Sequence, residues 1–185
     1  MLEFIEELVT LKKFIPDNLI DLSIFEKVCP AKKIVQLANL DVENFIERHN
    51  IIIHIDENEP YPFDVEFNGE VEYCGVEDNF KVYRIYFGVQ KNEMFFAIDE
   101  NNFISRLVIN ADLNNQASIE SFSGIITIIL RNVGMSVPEI QAVNQMIQND
   151  EDYVFHWCEE AGRFIFLNVV PLENILYMGF FAAIE

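Results

Sequence analysis

The sequence predicts an α+β fold: a largely antiparallel sheet with N-terminal helices and a central helix pair set between two three-stranded meanders. Three observations predict it. Residues 118–150 carry two runs of helical periodicity joined at a glycine. Short β-branched and aromatic runs flank them at hairpin spacing. The first fifty residues read as helices, so a composition change falls near Asn50. The 185 residues suffice for one domain with a substantial core, and residues 1–50 form a candidate helical subdomain within it.

In chain order, residues 2–14 place Leu2, Ile5, Leu8, Val9 and Leu11 on one side of an amphipathic helix, which Pro16 ends. Ser23 and Glu26 have capping-box spacing, but Pro30 interrupts, so a broken helix is expected, its second piece over residues 31–38. Asp41 caps a short helix over residues 42–49 that buries Phe45 and Ile46. Residues 51–55, Ile-Ile-Ile-His-Ile, are β-branched and predict a buried strand. The acidic, proline-containing stretch 56–62 predicts a loop.

Strict alternation on both sides of Asn68-Gly69 predicts a hairpin over residues 63–73. A two-residue turn would oppose Phe67 to Glu70 and Val65 to Glu72, mixing apolar and acidic side chains on one face. A three-residue loop with Gly69 left-handed sorts the faces. Val65 then meets Val71 and Phe63 meets Tyr73, while Asp64, Glu66, Glu70 and Glu72 gather on the other side. Strands follow over residues 80–87, 94–98 and 103–109, apolar on both faces and joined by hairpin-length connections.

In the helix pair, Ile119, Phe122, Ile125, Ile126, Ile129, Leu130 and Val133 form one apolar stripe. Gly134 fits a left-handed stop, Ser136 with Glu139 forms a capping box, and Pro138 falls in the first turn. Ile140, Val143 and Ile147 face inward from the second helix, and Gln141, Gln145 and Gln148 outward. Strands are expected again over residues 153–158, 163–169 and 174–182, with a break at Pro171.

The formal net charge of −19 repels nucleic-acid phosphate and suits a cationic partner. Residues 51–104 hold twelve acidic against three basic side chains, the densest acidic stretch. Cys29, Cys74 and Cys158 are odd in number and contain no CxxC, which points to a reducing compartment and a cytoplasmic protein. The first residues are acidic where a signal peptide is basic, and the longest apolar run, 175–184, is too short to span a bilayer, so no membrane association is expected.

No GxSxG, HExxH, GxGxxG or phosphate-loop pattern occurs, so no catalytic residues and no cofactor are assigned. His156 and Cys158 share a strand face, but two ligands do not close a zinc site, and no metal is assigned. The acidic loop 56–59 lacks the glycine of a calcium-binding loop.

The foremost candidate surface is therefore the hairpin carboxylates Asp64, Glu66, Glu70 and Glu72. Like charges side by side are tolerated where a basic partner neutralises them, or where they guard a sheet edge against aggregation. The function expected is a non-enzymatic, acidic protein-binding domain that neutralises or escorts a basic protein, as an immunity protein or a secretion chaperone does. The alternative is a small-molecule or peptide-binding domain with a pocket between sheet and helix pair, anchored by Arg84 or Arg106. An enzyme of unrecognised class is the third. The oligomeric state is not encoded in any recognisable pattern.

Overall fold

The computed structural model describes residues 16, 33–55, 58–149, 151 and 153–185. The helix expected over residues 2–14, and the broken helix as far as residue 32, lie outside them.

The described chain forms β1 (Lys33–Val35), α1 (Val42–Ile53), β2 (Phe67–Glu77), β3 (Phe80–Phe87), β4 (Asn92–Ile98), β5 (Ile104–Asp112), α2 (Gln116–Asn132), α3 (Val137–Gln148), β6 (Tyr153–Cys158), β7 (Arg163–Leu172) and β8 (Ile175–Ile184). All strands join one eight-stranded sheet in the order β2-β3-β4-β5-β8-β7-β6, with β1 paired to the far end of β8. Every pairing is antiparallel. The fold is α+β with a largely antiparallel sheet, as the sequence predicts. The first meander has four strands rather than three, and the two meanders fuse where β5 meets β8.

The register divides the sheet into two faces. Ile85, Met94, Ile109, Met178 and Val169 are successive cross-strand partners, as are Phe96, Leu107, Phe180 and Leu167. These side chains belong to the main core beneath the helices. α2 packs on β4 and β5, α3 on β6, and α1 against α2. Each fully buried Phe or Ile there contributes roughly 1.5–3 kcal/mol. The opposite face carries smaller clusters, Val82 with Phe95 and Val108, and Phe166 with Phe181 and Ala183.

The helix pair forms where its stripes and caps predict. Gly134 has φ +102°, and the Ser136–Glu139 capping box is complete. Ile125, Ile129 and Leu130 are fully buried, whereas Gln141, Gln145 and Gln148 face solvent.

Four expectations are corrected. Residues 51–53 are the last turn of α1, and His54 is its C-cap, so the 51–55 strand does not exist. Asp41 caps this helix through Asn44 N, and Phe45, His49 and Ile53 at four-residue spacing line its buried face. Tertiary burial of that stripe overrides the β-branched preference of the isoleucines, of which Ile51 and Ile55 are left exposed. Residues 33–35 are strand β1 rather than helix, because β8 offers them an open edge beyond the end of β5.

The chain does not reverse at Asn68-Gly69. β2 runs straight through it, and the reversal comes at Asp78-Asn79, both left-handed at φ 49° and 69°. Asn68 Nδ2 donates to the Gly88 carbonyl at 2.7 Å, which holds the Asn-Gly pair in the strand, while Gly69 at φ +81° takes up a bulge. Finally, β7 continues past Pro171, which pairs with Leu176. The β6 partners stop at Asn168, so the missing proline N–H leaves no neighbour unsatisfied on that side.

Candidate functional site

β2 forms one edge of the sheet. Among the described residues it pairs with β3 alone, leaving one row of backbone donors and acceptors open. Apolar side chains stand exposed along it: Val71 at 36%, Tyr73 at 56% and Val76 at 64%. Tyr73 leans on Tyr83 of β3, with ring centroids 5.3 Å apart. Irregularities between Asn68 and Glu72 and between Tyr73 and Gly75 bend the strand.

The four carboxylates expected on one face are distributed differently. Asp64 precedes β2 and accepts a hydrogen bond from Val89 N at 2.5 Å, bracing the β3–β4 turn. Glu66 also precedes the strand. Its carbonyl accepts from Gly88 N at 2.9 Å, and its carboxylate lies 3.9 Å from His54 Nε2. Glu70 sits exposed in the bulge. Glu72 faces Arg84 across the strand pair and binds it through Nη2 at 2.7 Å and Nε at 3.3 Å. Glu70 and Glu72 thus share the edge, whereas Asp64 is committed to a turn.

Arg84 is spent on carboxylates. Its Nη1 also donates to Glu93 at 3.0 Å, and Glu93 accepts from Asn110 Nδ2 at 2.8 Å. The hydrogen bond that Arg84 donates to Glu72 raises the Arg84 pKa further, so the guanidinium stays charged. Arg106 lies 4.8 Å over the Phe80 ring, its buried Nε has no partner among the described residues, and burial lowers its pKa. Arg84 is opposite Phe95, and Arg106 opposite Ala97, on the sheet face turned away from α2 and α3. Neither arginine therefore reaches a pocket beneath the helix pair, the position expected for them. The strand period of two puts them on the side opposite Phe96 and Leu107.

Sequence reasoning missed what lies behind the edge. A cavity of about 350 Å³ opens beside β2, between Val71, Tyr83 and Ile98 on one side and Asp41 and Glu43 on the other. Asp41 is held by its capping bonds to Asn44 N and Nδ2, at 2.8 and 3.0 Å, and Glu43 occupies the first turn of α1. No local signal links these residues, because β2 and the start of α1 are brought together only by tertiary packing. The site is thus an open strand edge with apolar side chains, and an acidic-walled cavity beside it. Such a surface suits an extended segment whose side chains are apolar and cationic.

Burial raises the pKa of Cys74 and of Cys158, so neither is an activated thiolate. Among the described residues no three His, Cys, Asp or Glu side chains gather as metal ligands, and no helix is long and apolar enough to cross a membrane. Comparison with protein-family models, with curated proteins and with solved structures gives no match to the sequence or to the fold.

Proposed function

We propose that this protein is a non-enzymatic binding domain that takes an extended, basic segment of a partner protein as an added strand along β2. It neutralises or escorts that partner by covering the segment. The observation that carries this reading is the exposure of Val71, Tyr73 and Val76 on an open sheet edge flanked by Glu70 and Glu72. Backbone pairing supplies affinity in such an arrangement, and alternate side chains supply specificity. One set of partner side chains lies over the aromatic pair Tyr73 and Tyr83, and a lysine or arginine among them fits the cavity walled by Asp41 and Glu43. The net charge of −19 accelerates encounter with a cationic chain.

Site-specific photo-crosslinking in the native host tests this. A crosslinker at position 70 is expected to capture a basic protein, and one at position 141, on the outer face of α3, is not. Capture of an acidic protein, equal capture at both positions, or capture at neither contradicts the proposal. With the captured partner purified, Glu70→Lys is expected to weaken binding at least about tenfold.

A further inference from the structure

We propose that Asn68 is a site of spontaneous covalent modification. The Gly69 nitrogen displaces its side-chain amide, the succinimide so formed hydrolyses to aspartate or isoaspartate, and the product loosens the start of β2. No partner at the β2 edge is needed for this reaction.

The sequence supplies the reactive pair. Asn68-Gly69 is the chain's only Asn-Gly. Every other asparagine is followed by a residue whose side chain crowds the backbone nitrogen that must attack. Glycine crowds it least and rotates most freely.

The fold leaves this pair room to react. Asn68 is opposite Tyr86, and the next cross-strand pair is Glu72 with Arg84. Residues 69–71 therefore stand against Ile85 alone, and the ladder to β3 is interrupted just after Asn68. On its other side β2 has no neighbour among the described residues. Gly69 is exposed at φ +81°, and the position a Cβ would take has nothing within 4 Å. A peptide fixed in regular ladders on both sides could not turn its nitrogen onto the side-chain carbon. The 68–69 peptide borders an unpaired stretch on one side and the open edge on the other.

Asn68 is restrained through its side chain. Nδ2 donates to the Gly88 carbonyl at 2.7 Å and to the Glu66 carbonyl at 3.4 Å. Both bonds lie at the sheet margin, where local opening is least costly.

Water is the only co-reactant. Solvent hydroxide takes the Gly69 amide proton, the nitrogen bonds to Asn68 Cγ, and the Cγ–Nδ2 bond breaks with release of ammonia. Water then opens the ring at either carbonyl. Opening at Cγ leaves aspartate. Opening at the backbone carbonyl leaves isoaspartate, whose main chain runs through Cβ and is longer by one methylene. Nothing is oxidised or reduced.

Both products undo the latch. A carboxylate oxygen replaces the donor that faced two carbonyl oxygens, so the contact turns repulsive. The new charge also joins Glu66 and Glu70, two residues away on either side. The start of β2 thereby loses one of its ties to Gly88.

Peptide mapping by mass spectrometry, with isoaspartate labelled enzymatically, tests this on the full chain held at neutral and at mildly alkaline pH. Conversion is expected at Asn68 ahead of every other asparagine and faster at the higher pH. Its rate is expected to lie within about tenfold of that for the same chain in urea. Gly69→Ala is expected to slow it at least about tenfold. Asn68→Asp carries the product's charge from the outset, and its β2 amides are expected to exchange hydrogen severalfold faster than those of the wild type. An intact Asn68 in the folded chain, while the chain in urea converts, would overturn the proposal, because the Gly88 latch then holds the amide in place. Equal conversion in Gly69→Ala, or unchanged exchange in Asn68→Asp, would overturn it too.

Discussion

His49 and Val65 are joined by a hydrogen bond sealed from solvent: His49 Nε2 donates to the Val65 carbonyl at 2.8 Å, and His49 has no exposed surface. The ring stacks on Phe67 with centroids 4.0 Å apart, so one side chain ties α1 to the start of the edge strand. Desolvation pushes the His49 pKa down to about 4 from 6.5, with nearby His54 adding to the effect and the Val65 bond opposing it.

A pH dependence follows. Between pH 6.5 and 4 the unfolded chain takes up a proton on this histidine and the folded chain does not. Stability from this residue is complete above about 6.5, falls as pH drops, and levels off below about 4. The loss is roughly 3 kcal/mol at most. Urea titrations across that range are expected to show it, and His49→Gln is expected to flatten that part of the profile. An identical profile in the variant contradicts the assignment.

Gly124 is expected to resist replacement. A Cβ there would lie 2.4 Å from Phe63 Cβ, and Tyr61 Oη donates to the Gly124 carbonyl at 2.8 Å. In an open helix, Gly→Ala stabilises by about 1 kcal/mol. Here Gly124→Ala is expected to destabilise by about 1–3 kcal/mol, because the segment leading into β2 must lift off α2. Thermal or chemical unfolding measures the sign directly.

The two arms of Arg84 are expected to differ. Glu93 is more enclosed than Glu72, with 30% against 56% of its side chain exposed, and is also held by Asn110. Double-mutant cycles with Arg84→Met are expected to give a coupling of about 1–2 kcal/mol to Glu93 and about 0.5 kcal/mol to Glu72. A larger coupling to Glu72 would show that solvent screening does not rank these pairs.

The elements most legible in the sequence are those specified by local chemistry. The capping box of Ser136 and Glu139, the left-handed Gly134 and the apolar stripe of α2 need no tertiary context, and α2 and α3 form where those signals lie. Strands β3 and β4 were legible for the same reason. The errors fall where two local signals competed. Asn68-Gly69 is a strong turn signal, yet Asp78-Asn79 can take left-handed angles too, and only the pairing with β3 decides between them. Ile51, Ile52 and Ile53 favour strand locally, but the stripe of Phe45, His49 and Ile53 continues the helix. The acidic charge of the edge was visible. The cavity between Glu43 and Val71 arises from distant segments and had no sequence signature.

The central claim is that β2 receives a partner strand, and the backbone itself provides the sharpest test. Glu77 and Phe80 close the two-residue turn, so in the alternation of an antiparallel pair the N–H of Val76, opposite Lys81, points away from β3 towards the open edge. Val76→Pro removes that donor without removing a β2–β3 bond, the placement in which an edge strand tolerates proline. Isothermal titration of this variant with the partner captured at position 70 is expected to show at least about tenfold weaker binding, with far-ultraviolet circular dichroism unchanged. Wild-type affinity in a folded Val76→Pro protein would contradict strand addition at β2.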